Sequence, residues 1–400
     1  MGAEESRFLD LTLALILAVA VFGMMGGALI GPALPAIDDP FNVSEGTVAL
    51  VLSVYLLSTS VAMPFIGFLI DKYGRKTVLI PCLLINGVFG GLCSIAPTFE
   101  VLLVFRAIQG IGIAGMSPVA MTLIGDLYHG LSRTKAMGYL SAVMSIGGVT
   151  SPIIGGGLAA LAWNYPFYFY LLNLPLALFV WLWLPSPKVE AKGLKEYLKP
   201  FVESFKDLRV VAVLLSGYLT FFLLYAVVTY LPFILTEEPY GFSTFVAGIF
   251  LGVQGISIAI ISINADKLEK IISPKKLILL GFFLHGLAII WLPYEYPLAS
   301  MFFFLFIFGV GRGFVMPQIN TLITKLAPEK GIGGLVAVFN TLRFIGMGTS
   351  PVVLGIIRDF ADLKAVFLFS AALAFIAVLI GLMAGTLHKG NIHREQSNPK

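Results

Sequence analysis

The chain has 400 residues, of which 58% are hydrophobic and only 12% are charged, and its mean hydropathy is +0.94. A soluble globular protein cannot hide so large an apolar surface from water, so the composition predicts an integral membrane protein. The formal net charge is +4, but the cations lie in short links between apolar segments instead of on one basic face, which argues against nucleic-acid binding.

Twelve apolar segments follow one another along the chain, and each is long enough to span a bilayer core as a helix, which needs about 20 residues. They are continuous apolar runs and lack the alternating pattern of an outer-membrane barrel. The sequence therefore predicts an all-α integral membrane protein with twelve transmembrane helices, α1 to α12. In chain order these helices are predicted at residues 10–37, 46–70, 77–96, 101–125, 136–160, 167–184, 209–235, 244–264, 276–293, 298–323, 332–357 and 365–387.

The links between these helices alternate in charge. Of the 26 Lys and Arg residues, 21 lie in the two chain ends and in every second link, whereas the other links contain only two, Arg358 and Lys364. Because Lys and Arg are enriched on the cytoplasmic side of membrane proteins, both termini are predicted to be cytoplasmic. We therefore expect a multi-pass protein of the cell inner membrane.

The link between α2 and α3 is short and charged, and it contains glycines that an ordinary positively charged loop does not require. Gly74 suits a sharp turn, and Gly67 lets a neighbouring helix approach the backbone one turn before Asp71. The stretch resembles the signature loop of the major facilitator superfamily, Gly-x-Leu-x-Asp-x-x-Gly-Arg-Lys, at Gly67, Leu69, Asp71, Gly74, Arg75 and Lys76. Because a carboxylate stabilises a helix N-terminus, Asp71 is expected to cap the start of α11 near residues 331–334 and to hold the cytoplasmic face shut.

The two halves of the chain resemble each other in sequence. Residues 110–124 align with residues 309–323, and residues 150–152 align with residues 349–351, both at an offset of 199. Two matches at one offset in successive helices indicate duplication, and the resemblance to the superfamily implies parallel six-helix repeats. The predicted organisation is an N-terminal six-helix bundle at 1–186, a cytoplasmic linker at 187–208, a C-terminal six-helix bundle at 209–388 and a cytoplasmic tail at 389–400.

Helix α5 contains a glycine-rich stretch around Pro152. Proline removes one backbone hydrogen bond and bends a helix, and glycine lets another backbone come close, so a kinked and closely packed seam is predicted. The stretch resembles the helix-5 motif of exporters in the superfamily at Gly147, Pro152, Gly155 and Gly156, with Ser151 where that motif has a second glycine. The resemblance favours export. Ordinary packing of small residues between helices is the alternative interpretation.

Three arginines lie inside predicted helices, Arg106 in α4, Arg312 in α10 and Arg343 in α11. An arginine deep in a bilayer costs several kcal/mol unless it faces water or a partner, so each is a candidate for substrate binding or proton coupling. Arg106 and Gln109 fit a pattern similar to the superfamily's Arg-x-x-Gln-Gly-x-Gly, and the resemblance links that arginine to proton coupling. A structural role, with the arginine bound to backbone carbonyls, is the alternative.

Two asparagines extend these candidate faces. Asn340 lies one turn from Arg343, and Asn320 lies two turns from Arg312, so each pair shares one face of its helix. No Asp or Glu lies in the middle of a predicted helix. A cavity lined by arginines without carboxylates should repel cations and attract anions.

Together these features predict a secondary active transporter that resembles the drug:proton antiporter branch of the major facilitator superfamily. It is expected to export a small organic solute by alternating access, with proton antiport as the implied coupling. The alternatives are a uniporter or importer of a small metabolite, a membrane-embedded enzyme, and a non-transporting receptor.

The predicted spans lack the nucleophile or metal cluster of a membrane-embedded enzyme, so no catalytic residue, no metal and no cofactor are predicted, and a proton gradient is the expected source of energy. The expected partners are the lipid bilayer and a small solute, anionic or neutral, and not a nucleic acid. The protein is expected to be a monomer.

Overall fold

The computed structural model describes residues 3–186, 204–294, 297–326 and 332–396. Within these ranges the regular secondary structure is helical, and twelve helices are long and apolar enough to cross a membrane. The prediction of an all-α membrane protein with twelve spanning helices is therefore confirmed. In chain order the spans are α1 Leu11–Phe41, α2 Glu45–Tyr73, α3 Arg75–Ile95, α4 Phe99–Leu127, α5 Gly130–Leu161, α6 Tyr165–Trp183, α7 Leu208–Thr236, α8 Thr244–Ile263, α9 Pro274–Trp291, α10 Leu298–Leu326, α11 Gly334–Phe360 and α12 Leu363–Met383.

Helix α1 is interrupted within its span. Its first piece ends at Ala28, a single turn of 3₁₀ helix covers Gly31–Ala33, and a short α-helix follows at Leu34–Phe41. Pro32 and Pro35 stand at the starts of the second and third pieces, where a helix does not need the backbone N–H that proline lacks.

The two six-helix halves meet along two pairs of helices, α2 with α11 and α5 with α8. Glycines make this contact possible, since Gly46 of α2 lies against the backbone of Gly355 in α11, and Gly248 of α8 lies against the carbonyl group of Pro152 in α5. These contacts lie toward the ends of the helices that are joined by residues 42–44, 162–164, 237–243 and 361–362. We call this side of the bundle the closed end.

The packing is looser toward the opposite end, where residues 74, 128–129 and 264–273 connect the helices. In this part of α5 a side chain at Gly138 would meet no described atom within 4 Å, and Tyr139 is 57% exposed. Farther along α5, a side chain at Gly147 would reach only a methyl group of Val21, at 3.8 Å. The halves are thus joined at the closed end, and the cleft between them widens toward the opposite end.

Pro152 and Pro351, which the sequence repeat aligns, each lie inside a long helix, α5 and α11. The predicted linker at 187–208 falls mostly outside the described residues, so the predicted domain boundaries stay predictions. The helical backbone that contains α12 continues to Gln396, beyond the predicted end of the C-terminal bundle at 388.

Candidate functional site

Two of the arginines inside the spans meet over one aromatic ring. The guanidinium carbon of Arg312 in α10 lies 4.8 Å from the ring centroid of Phe221 in α7, and that of Arg343 in α11 lies 4.6 Å from the same centroid. Phe221 is buried, about 20 Å from the start of α7 at a rise of 1.5 Å per residue. The negative face of the ring attracts each cation, which offsets part of the cost of holding two like charges close together.

Neither arginine has an ionic partner among the described residues. Arg343 donates one long hydrogen bond, from Nη1 to Oδ1 of Asn340 at 3.4 Å, and the Nε atoms of Arg312 and Arg343 are buried without a partner in the described part of the chain. Their side chains are nevertheless partly exposed. Within the described part of the chain, the titratable groups that act on these guanidinium groups are Arg343, which acts on Arg312, and Tyr225, which acts on both, and neither is a carboxylate. Two positive charges therefore stand here without compensation.

Tyrosines from both halves converge on α1 beside the arginines. Gly27 leaves room for the hydroxyl group of Tyr225 from α7, and Gly26 leaves room for that of Tyr55 from α2. The carbonyl oxygen of Gly26 accepts a hydrogen bond from the Tyr170 hydroxyl at 2.6 Å. A side chain at either glycine would collide with a tyrosine, so this part of α1 needs glycine. Because Tyr225 is an electrostatic neighbour of both arginines, Gly27 marks the point where the N-terminal half approaches them.

The third arginine lies in a different environment. Arg106 is fully buried inside the N-terminal bundle, where its Nε donates to the carbonyl oxygen of Val51 at 3.0 Å and its Nη1 donates to Oε1 of Gln109 at 2.7 Å. Gln109 in turn donates to Oδ1 of Asn86 at 2.9 Å, and the ring of Tyr55 lies 4.0 Å from the guanidinium carbon. This geometry fits the structural alternative, and a role for Arg106 and Gln109 in proton coupling stays a prediction.

Asn320 does not belong to the arginine cluster. It is exposed, and eight residues of helix place it about 12 Å from Arg312 along α10, toward the opposite end. Its part in substrate binding stays a prediction.

The link between α2 and α3 forms the sharp turn that the sequence predicts. Gly74 has a φ of 95°, a conformation that glycine adopts without strain. Next to it, Nε of Arg75 lies 2.8 Å from Oδ2 of Asp126 at the end of α4, which ties the link to its own bundle. Asp71 and Lys76 are partly exposed. Residue 331, at the start of the stretch that Asp71 is expected to cap, lies outside the described residues, so that role stays a prediction.

The glycine-rich stretch of α5 lies at two close helix contacts. The backbone of Leu29 in α1 occupies the space beside Gly155, and the backbone of Thr244 in α8 occupies the space beside Gly156. The hydroxyl group of Thr244 also donates to the carbonyl oxygen of Gly156 at 2.8 Å. One contact is within the N-terminal half and the other joins the two halves, so the stretch is placed to act as a hinge between them. That conformational role of Gly147, Pro152, Gly155 and Gly156 stays a prediction.

A charged cluster that the sequence did not suggest joins the halves at the closed end. Glu45 at the start of α2 forms a two-point ion pair with Arg358 of α11, in which Nε of Arg358 donates to Oε2 of Glu45 at 3.1 Å and Nη2 donates to Oε1. Beside it, the Ser44 hydroxyl donates to Oδ1 of Asp359 at 2.8 Å. We call these four residues the closed-end latch.

Glu237, which follows α7, lies against the closed-end latch. Burial, and then the negative charge of Glu45, raise the pKa of the Glu237 carboxyl group above its usual value. Sequence reasoning missed the latch because its ion-paired residues lie 313 positions apart, and the only signal was the isolated position of Arg358 in a link with few cations.

Comparison with known proteins gives consistent results. The model of the Major Facilitator Superfamily matches residues 16–351. The chain is 32% identical over 375 residues to the bacillibactin exporter of Bacillus subtilis (strain 168), covering 90% of this chain and 92% of that protein. It is 24% identical to the quinolone resistance protein NorA of Staphylococcus aureus (strain MSSA476), covering 84% of this chain and 87% of that protein.

Solved structures share the fold at lower sequence identity. The nucleoside transporter NupG superposes with a TM-score of 0.79 at 14% identity, over 94% of this chain and 99% of that one. A bacterial homologue of the lysosomal transporter Spinster, in an inward-facing and occupied conformation, superposes with a TM-score of 0.76 at 18% identity, over 95% of this chain and 97% of that one. At these identities the likeness concerns the fold alone.

Proposed function

The chain belongs to the Major Facilitator Superfamily, and from that premise we propose that it exports small organic anions by proton-coupled alternating access. As a multi-pass membrane transporter of this family it has a lipid bilayer and a small-molecule substrate as partners, and it is not an enzyme. Efflux proteins are among its relatives, which supports export. The anionic charge of the substrate, the proton coupling and the monomeric state are our proposals.

The positive-inside rule supports an orientation with both termini in the cytoplasm, and in that orientation the closed end faces outward. The cleft then opens to the cytoplasm, which is an inward-facing arrangement. A solute would enter it past Asn320 and reach the arginines near the level of Gly27. Rocking of the halves about the α2–α11 and α5–α8 contacts would then expose the solute to the other side.

The uncompensated pair of Arg312 and Arg343 carries the proposal that the solute is an anion. In a medium where an unpaired cation is costly, binding an anion relieves that cost, whereas binding a cation would add to it. Planar guanidinium groups also grip carboxylates through two parallel hydrogen bonds. No carboxylate acts on either arginine within the described residues. The proton that is coupled to transport would therefore bind to the acid group of the solute itself or to a residue at a helix end such as Asp126.

Transport by the purified protein in liposomes tests this function. Carboxyfluorescein is the anionic probe, ethidium is the cationic probe, and each is followed with and without a pH gradient. We expect saturable movement of carboxyfluorescein that the gradient accelerates, and a loss of at least tenfold in Arg343→Gln, because a buried charge partner is removed. Arg343→Lys should retain part of the activity because it keeps the charge but loses the two-point grip.

The matched control is Arg209→Gln, which removes an exposed arginine at the start of α7 whose ionic partner is the neighbouring Asp207. This variant should transport carboxyfluorescein normally. Saturable movement of ethidium that is insensitive to both substitutions at Arg343 would contradict the proposal.

A further inference from the structure

Phe221 fixes how far apart the two arginines can stand. Both guanidinium carbons lie within 4.8 Å of its ring centroid, so the distance between them cannot exceed twice that value. Arg343 is also held by a second ring, that of Phe344, at 5.7 Å. The two positive charges are therefore held in one compact site beside these rings, and the Nε atom of each guanidinium group is buried without a partner among the described residues.

The site contains two positive charges, on Arg312 and Arg343, and two negative charges would be needed to neutralise it. A single carboxylate that bridged the two guanidinium groups would neutralise one cation and leave the other in a region of low dielectric constant, where an unpaired charge is costly. Within the described residues Tyr225 is the titratable side chain of the other residues that acts on the pair, and its phenol is neutral. Arg312 in turn acts on the neighbouring His285. Both nitrogen atoms of His285 are buried without a described partner, and a histidine supplies no negative charge.

We propose that the site selects organic solutes with two acidic groups over those with one, and that Phe221 is the positioning residue that sets this preference. The inference rests on the proposed function, because it concerns the same arginines. Each guanidinium group would take one carboxylate by its N–H edge, with Asn340 contributing its side-chain amide beside Arg343. Asn340 is already within reach, since its Oδ1 is 3.4 Å from Nη1 of Arg343.

Three probes of one scaffold test the preference. Benzoate carries one carboxylate, whereas phthalate and terephthalate carry two at different separations. Their dissociation constants are measured by calorimetry on the purified full chain in detergent, which separates binding from transport. We expect the better of the two dicarboxylates to bind at least tenfold more tightly than benzoate, since close charge pairs at interfaces couple strongly.

Variants assign the preference to its residues. In Arg312→Gln one cation is lost, so the dicarboxylate preference should fall to about twofold or less while benzoate still binds. In Phe221→Leu the ring is lost and the preference should fall likewise, whereas Phe221→Tyr keeps the ring and should keep the preference. Arg209→Gln should behave as the parent protein. If Phe221→Leu does not fold, Phe221→Met, which also lacks the ring but fills more of its volume, replaces it and should lower the preference in the same way.

The possible failures are distinguishable. If benzoate and the dicarboxylates bind equally well and Arg343→Gln abolishes both, the preference for two acidic groups is wrong and the proposed anion site stands. If Arg312→Gln leaves the preference intact, the second charge is recognised elsewhere and the inference is overturned. If none of the three acids binds while the parent protein transports ethidium, the proposed anion site itself is wrong.

Discussion

Breaking the closed-end latch should favour the arrangement in which the closed end opens. The substitution Glu45→Gln keeps the size of the side chain and removes the charge that Arg358 grips at two points. The exposed fractions of the two side chains are 14% for Glu45 and 27% for Arg358, which places the pair between exposed pairs, worth about 0.2–1 kcal/mol, and buried pairs, whose disruption costs about 3–5 kcal/mol. We expect Glu45→Gln to destabilise the shut closed end by about 1–3 kcal/mol. This corresponds to a change of roughly five- to 150-fold in the equilibrium between the shut and the open closed end.

Spin labels on opposite halves measure this change. Leu161→Cys at the end of α5 and Leu298→Cys at the start of α10 place labels on exposed positions near the closed end, and the two native cysteines are buried. The double-labelled parent should show one short distance, and Glu45→Gln should add a longer one. The control is Arg209→Gln, which breaks an exposed ion pair away from the interface between the halves and should leave the distances unchanged. An unchanged distribution in Glu45→Gln would show that the latch does not hold the closed end.

Three further predictions concern the gates and the hinge. The pKa of Glu237 is raised when the closed end is shut, so a low pH on that side should favour the shut arrangement. This arrangement should lose stability as the pH rises through that pKa. In Glu237→Gln the spin-label distance should no longer depend on pH. Gly155→Leu should abolish transport through collision with the backbone of Leu29, whereas Gly138→Leu, with open space around it, should be tolerated in the same liposome assay. Asp71→Asn should remove about 0.3–2 kcal/mol of stabilisation that the carboxylate gives to a helix N-terminus. The cytoplasmic cleft should therefore open more often, and cysteines placed in it should be labelled more extensively.

Each of these three has its own contradicting result. A pH-dependent distance that persists in Glu237→Gln would assign the proton to another group of the closed end, such as Asp38, Asp39, Asp359 or Asp362. Normal transport by Gly155→Leu would mean that α1 and α5 separate easily. Cysteine labelling that is the same in Asp71→Asn and in the parent would show that Asp71 does not act as a gate.

The twelve helices and the transporter fold follow from the sequence because hydrophobic length and the signature loop are local patterns. Arg312 and Arg343 were predictable for a related reason, since a charge inside an apolar helix conflicts with its surroundings. Phe221 carried no such signal, because it is one of 33 phenylalanines and its role depends on which residues face it from α10 and α11.

Pairings between distant residues were the part that the sequence could not supply. Glu45 and Arg358 each stand near the end of a helix, where charged residues are ordinary, and only the approach of α2 to α11 makes them partners. For Arg106 a local pattern was present, but the packing of the helices favours a different role. Its sequence pattern suggests proton coupling, but its hydrogen bond to Val51 and its complete burial depend on how α4 packs against α2, which no local pattern reveals.

Reversing the charge at Arg343 tests the proposed anion site most directly. In Arg343→Glu the site would contain one cation and one anion that compensate each other, so carboxyfluorescein transport should be lost in the same liposomes. Gel filtration of the variant confirms that it remains folded and monodisperse. Undiminished carboxyfluorescein transport by Arg343→Glu would contradict the central proposal that these arginines bind the exported solute.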